Sequence, residues 1–266
     1  MDFHQTIQNM KLYLFDMDGT LYLGDQLFPF TIALLRRIRE NGSRYLFMTN
    51  NSSKSVEDYI RKLDKLGIPS TREDFITSAQ ATAYYLLQHH AGKRLYVCGT
   101  RSLKQELTLA GLTVTEEADE AECIVMGFDT ELTFQKLWDV SRLLLTREIP
   151  YIATNPDYVC PTEFGSVPDC GSVCDMIYNA AKKRPLVIGK PEALMPQLAM
   201  ERLGVSPDET CCIGDRIYTD IRCGLNAGIT TLLVLNGETT RQILDASEIK
   251  PHFVLEDAGE ILDALQ

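Results

Sequence analysis

Nothing in the 266-residue sequence approaches the ~18 consecutive apolar residues that a membrane span needs. Residues Met1 to Met10 carry neither the basic start nor the apolar core of a secretory leader, so the expected location is the cytoplasm and no membrane partner is expected. Positive charge is scarce: 26 Lys and Arg stand against 37 Asp and Glu, a net charge of -11. That balance argues against a nucleic-acid partner, because phosphate contacts along a polymer need clustered cations. It leaves room for a small anionic substrate if the site supplies its own positive charge. The eight cysteines include no C-x-x-C pair. A metal reading would have to start from Cys160, Cys170 and Cys174, and no histidine lies near them in sequence. Cys98, Cys123, Cys211 and Cys212 sit in short apolar runs, where cysteine behaves as a small hydrophobe, so reduced thiols are expected.

What is present is an alternation of strand and helix patterns along nearly the whole chain. Lys11 to Met17 reads as a short apolar strand, followed by a helix over Thr31 to Asn41 with Gly42 at its C-terminal end. Tyr45 to Thr49 is a second strand, and a helix begins near Ser53 or Ser55. Further strands are expected at Leu95 to Gly99, Glu122 to Met126, Tyr151 to Asn155, Leu186 to Gly189 and Cys211 to Gly214, then TTLLVL, with helices between them. Such alternation implies an α/β fold with a doubly wound, Rossmann-like parallel sheet, whose ligands bind at the carboxyl ends of the strands.

Chemistry-bearing residues collect at those ends. Asp16 and Asp18 flank Met17 at the tip of the first strand. They are open to reading as a polar turn or as a catalytic pair. A calcium loop fails, because Leu21 and Leu27 occupy the places where an EF-hand needs Gly and Glu. Thr49 and Asn50 offer a hydroxyl, an amide and backbone N–H groups that suit a phosphate, though they also suit a helix N-cap. Lys190 follows Gly189 at the end of an apolar run, either as a surface lysine or as a site cation. Asp215 and Asp220 follow another strand, where an acidic first helical turn is the plainer account.

Taken together, DMDGT, the Thr of FMTNNSS, the Lys of IGKP and GDRIYTD resemble the four motifs of the haloacid dehalogenase superfamily, in order and spacing. The segments TNNSS, VMGFD, YIATNPD and LVIGKP extend the likeness to the NagD-like phosphatases, over nearly the whole chain. Asp18 sets the chain apart from the dehalogenase branch, which lacks a second acid there. The resemblance implies a phosphatase for small phosphate monoesters, with Asp16 as nucleophile and Asp18 as general acid and base. It further implies Mg²⁺ held by Asp16, the Asp18 backbone carbonyl and Asp215, with Asp220 supporting the metal shell. Lys190 and Thr49 would hold the phosphate. Tyr218 stands where the family often has an acid.

The same resemblance implies a core built from residues 1–78 and 185–266, with residues 79–184 inserted as an α/β cap. Tyr22 to Leu27 resembles the flap hairpin of the family. Asn50 and Asn155 are expected to face substrate, whereas Asp157 is equally readable as turn chemistry. The expected partner is a small-molecule phosphate ester, with a homodimer possible. A receiver domain accepting phosphate on Asp16, a phosphomutase and a catalytically silent binding protein are the competing readings. Asp18 and the long insert disfavour the first, and four intact motifs disfavour the last.

Overall fold

In a computed structural model, which describes residues 2–162 and 164–266, the chain divides into two compact units. The first comprises Met1–Thr49, Tyr59–Ile76 and Lys190–Gln266, and the second Asn50–Asp58 and Thr77–Gly189.

The first unit is organised by strand Leu12–Phe15, whose four residues are all buried. Burial on both faces explains why it reads as a continuous apolar run and not as an alternation. Each such side chain contributes roughly 1.5–3 kcal/mol on leaving water. The strand pairs in parallel with Arg44–Thr49 on one side and with Thr210–Gly214 on the other, setting Phe15 opposite Phe47 and Ile213. Thr210–Gly214 pairs onward with Thr230–Val234, and that strand with Phe253–Leu255, again in parallel. Phe75–Thr77 closes the opposite edge of this six-stranded sheet.

Chain order runs outward from Leu12–Phe15 towards Phe75–Thr77, and outward from Thr210–Gly214 towards Phe253–Leu255. The winding therefore reverses between the strands that end at Phe15 and Gly214. That reversal opens a crevice at their carboxyl ends, where doubly wound sheets place ligands. The expected doubly wound α/β fold is the one found.

The second unit holds a smaller parallel sheet, in the order Leu186–Val187, Tyr151–Ala153, Cys123–Met126, Arg94–Cys98, Thr113–Thr115. Helices Phe134–Thr146 and Cys170–Ala181 supply Val140, Leu143, Cys170, Cys174 and Ile177 to its core. An antiparallel hairpin, Val159–Thr162 with Gly165–Pro168, lies outside that sheet.

Strand membership differs from the sequence reading in one place that matters. The apolar run expected as a strand over Leu186 to Gly189 is a strand only at Leu186–Val187, and it pairs with Tyr151–Ala153 in the second unit. The run is apolar because it packs, but its partners are cap strands. Lys190 is thus reached from a different sheet than Asp16, Thr49 and Asp215 are. The short strands Thr113–Thr115 and Phe75–Thr77 were not expected. Among the described residues, no helix is long and apolar enough to cross a membrane.

Candidate active site

Asp16 continues its strand's ladder by one residue, its N–H donating to Ile213 O at 2.8 Å. Its carboxylate Oδ1 accepts from Lys190 Nζ at 2.7 Å. The same ammonium donates to Asp220 Oδ1 at 2.5 Å and to the Met48 carbonyl at 3.2 Å. Three protons on one nitrogen thus have three acceptors, two of them anionic. Lys190 is buried, and burial alone would lower its ammonium. Asp16 and Asp220 outweigh that and hold it well above the ordinary lysine value.

Asp220 is fully buried, on the short wide-turned helix Ile217–Ile221, with its second oxygen accepting from Arg216 N at 3.0 Å. Both of its oxygens are therefore committed to donors of the protein. Gly214 makes room for it, since a Cβ there would stand 2.5 Å from the Asp220 carboxyl carbon.

Asp215 is held differently. Its Oδ2 accepts from Glu238 N at 2.7 Å and its carbonyl from Thr239 N at 3.1 Å, so the loop after strand Thr230–Val234 folds against it. Two glycines crowd the same carboxylate. A Cβ on Gly237 would meet Oδ2 at 2.2 Å, and one on Gly19 at 2.5 Å. Gly19 also has φ +87°, which L side chains rarely adopt. Asp215 Oδ1 is buried and has no hydrogen-bond partner.

Carboxylate oxygens of Asp16, Asp215 and Asp220 lie within 4.8 Å of one another, making a buried acidic cluster able to hold a divalent cation. Their electrostatics fit that role. Burial, followed by the charges of Asp16 and Asp220, pushes the Asp215 carboxyl up to about 8. Burial pushes Asp16 up to about 6, although the neighbouring Lys190 opposes it. Negative charge concentrated away from water is costly unless matched, and Lys190 matches part of it. Asp215 Oδ1 is the buried acceptor left over.

Asp18, two residues beyond Asp16, is exposed and pairs with Lys62 Nζ at 3.6 Å. Lys62 in turn sits 4.2 Å from the ring centroid of Tyr22, in the hairpin Tyr22–Leu23 with Gln26–Leu27. Thr49 is buried at the end of strand Arg44–Thr49. Tyr218 is half exposed and bonds through its hydroxyl to Glu238.

Asn50, Asn155 and Asp157 meet one another within the second unit, and all three are buried. Asn50 Nδ2 donates to the two Asp157 oxygens at 3.2 and 3.1 Å. Asn155 Nδ2 donates to the Asn50 carbonyl at 3.0 Å, and its Oδ1 accepts from Asp157 N at 3.0 Å. All eight cysteines are free thiols. The Sγ atoms of Cys170 and Cys174 are 4.0 Å apart on one helix, in the apolar core of the second unit.

Two cations of the first unit were not singled out from sequence. Arg216 lies within GDRIYTD and pairs with Glu238 at 2.8 Å. Burial opposes its charge, but Glu238, Asp16 and Asp220 raise it above the ordinary arginine value. Lys62 carries no local signal at all, because its importance comes from folding next to Asp18.

A family model described as haloacid dehalogenase-like hydrolase matches residues 13–113, and a second, of HAD-like hydrolases, matches residues 187–261. The chain is 35% identical to a 5'-nucleotidase of Bacillus subtilis over 254 residues, covering 96% of this chain and 98% of the relative. An acid sugar phosphatase of Staphylococcus haemolyticus is 31% identical, with 98% of each chain covered. Among solved structures, a 4-nitrophenylphosphatase from Thermotoga maritima superimposes with a TM-score of 0.94 at 37% identity, covering 98% of this chain and 99% of that one. The motif residues at the sheet's reversal and this likeness along the full length agree, and the chain belongs to the haloacid dehalogenase superfamily as one of its NagD-like phosphatases.

Proposed function

We propose that the protein hydrolyses small phosphate monoesters through a phosphoaspartate on Asp16, with Mg²⁺ as cofactor. The observation that carries this reading is the cluster at the sheet's reversal: a partly buried nucleophile candidate bonded to a buried lysine, beside a buried carboxylate with an unpartnered oxygen. A divalent cation fits the donor set, since Asp215 Oδ1 and the Asp16 carboxylate are oxygen ligands of the kind Mg²⁺ prefers. The Asp18 backbone carbonyl would complete the protein's share, and Asp220, whose oxygens serve Lys190 and Arg216, supports and does not ligate. When bound, the cation offsets the repulsion between carboxylate and phosphate.

In the first step an Asp16 oxygen attacks phosphorus, the bond from phosphorus to the ester oxygen breaks, and Asp18 gives that oxygen its proton. In the second step Asp18 takes a proton from water, the water oxygen attacks phosphorus, and the acyl phosphate bond breaks. Inorganic phosphate leaves and Asp16 is restored. Lys190 keeps Asp16 oriented and counters charge on the transferring group, and Thr49 and nearby amides hold its equatorial oxygens. Exposure of Asp18 suits a group that exchanges protons twice per turnover.

The second unit acts as a cap, excluding water and selecting the leaving group. The nucleotide, sugar phosphate and nitrophenyl phosphate named for the relatives support small and varied leaving groups. The fully reduced thiols accord with a cytoplasmic location.

Phosphate release from a panel of nucleoside monophosphates, sugar phosphates and nitrophenyl phosphate, with Mg²⁺ or with EDTA, tests the proposal. Release that requires Mg²⁺ and falls on the order of 10⁴-fold or more in Asp16→Asn is expected. Undiminished release in EDTA, or a fully active Asp16→Asn, would overturn it.

A further inference from the structure

We infer that Asp157 is a positioning residue, which acts on the reaction through Asn50 and not through contact with substrate. The inference rests on the roles just given to Asp16, Thr49 and Lys190.

Asn50 follows Thr49 by one peptide and Gly189 precedes Lys190 by one peptide, and both Asn50 and Gly189 belong to the second unit. The Asn50 side chain joins these two places. Its Nδ2 donates to both Asp157 oxygens at 3.2 and 3.1 Å. Its Oδ1 packs so closely on Gly189 that a Cβ there would stand 2.6 Å away. Gly189 is fixed in turn by its N–H, which donates to Thr154 O at 2.9 Å.

The Asn50 main chain is tied as firmly. Its carbonyl accepts from Ser78 Oγ at 2.6 Å and from Asn155 Nδ2 at 3.0 Å. Two residues on, Ser52 Oγ lies 2.9 Å from Thr154 Oγ1 and accepts from Phe128 N at 2.9 Å. Asp157 is itself held, because its N–H donates to Asn155 Oδ1. One buried, hydrogen-bonded amide therefore sets both the residue after Thr49 and the residue before Lys190.

Charge argues for the same role. A carboxylate repels a phosphate dianion, and in a low-dielectric site the repulsion is strong. The two Asp157 oxygens instead face an amide donor. Holding a neutral amide with a carboxylate gives a stronger and more directional tie than a neutral acceptor would. Reaction rates are sensitive to displacements of about 1 Å, so loosening this tie should appear in turnover.

The test is a double-mutant cycle with steady-state kinetics on nitrophenyl phosphate, using Asp157→Asn, Asn50→Ala and the pair, in Mg²⁺. Asp157→Asn keeps the side chain's volume and one acceptor oxygen. It is expected to lower kcat about tenfold with KM little changed. Asn50→Ala is expected to lower kcat at least as far, and adding Asp157→Asn to it should cost less than about twofold more. Should Asp157→Asn not fold, Asp157→Glu takes its place in the cycle. The inference is overturned if the Asp157 substitution costs the same factor in both backgrounds, changes KM alone, or leaves kcat within about twofold of wild type. Asp16→Asn measured alongside separates the two readings. A fully active Asp16→Asn removes the catalytic assignment, whereas an inactive one with an additive cycle removes only the role of Asp157.

Discussion

At the scale of single residues, the site solves a charge problem that the overall composition makes acute. An acidic protein that acts on a dianion needs local positive charge, and the proposed site has one buried ammonium whose protons go to Asp16, Asp220 and the Met48 carbonyl. Breaking one member of such a network leaves an uncompensated buried charge. Glycine sets the remaining geometry. At Gly237 a methyl group would collide with the Asp215 carboxylate at 2.2 Å, so Gly237→Ala should displace Asp215 and weaken Mg²⁺ binding by about tenfold or more. Titration calorimetry with Mg²⁺ checks this, and an unchanged affinity would argue against Asp215 as a ligand. Asp16, Asp215 and Lys190 were legible in the sequence because strand ends announce themselves through the apolar runs before them. Lys62 and Arg216 were not, because proximity to Asp18 or Glu238 is a product of tertiary folding.

At the scale of elements, local chemistry fixes where helices start. Thr77 and Gln80 cap helix Ser78–His89 reciprocally: Gln80 N donates to Thr77 Oγ1 at 3.1 Å, and Thr77 N donates to Gln80 Oε1 at 2.9 Å. Thr77→Ala should therefore cost about 1 kcal/mol of stability by urea unfolding, and no loss would show that the cap contributes nothing. Buried strands such as Arg44–Thr49 and Thr210–Gly214 were readable from their short continuous apolar runs. Thr113–Thr115 and the hairpin Val159–Thr162 with Gly165–Pro168 were not, since the first is only three residues long and the hairpin strands are mostly exposed, so neither carries an apolar run. Leu186–Val187 was readable as a strand but not as a member of the second sheet, because burial says that a strand packs and not against which partner.

At the scale of the whole molecule, the chain passes between the two units four times, at Thr49–Asn50, Asp58–Tyr59, Ile76–Thr77 and Gly189–Lys190. Two of the assigned site residues thus stand at the joints of the architecture. Proton linkage gives a global readout of the first unit's acidic cluster. Asp215 is raised from 3.8 to about 8 and Asp16 from 3.8 to about 6, so the folded protein holds these protons more tightly than the unfolded chain does. The stability they contribute is full below about pH 4 and is lost as pH rises through about 6 and then about 8. On the proposed account Mg²⁺ would take the place of those protons, so it should raise Tm more at about pH 8 than at about pH 5. Thermal unfolding with and without Mg²⁺ at both pH values checks this, and an equal shift would contradict the cluster as the metal site.

The central claim is that phosphate passes through a covalent bond to Asp16. Asp18→Asn removes the group assigned to activate water and should slow turnover by about 10²–10⁴-fold, letting the intermediate accumulate. The direct measurement is mass spectrometry of this variant, quenched in acid during turnover of nitrophenyl phosphate and then digested. The account predicts one added phosphoryl group on the peptide that contains Asp16. Phosphate release with that peptide unmodified, or with the phosphoryl group on another residue, would contradict it.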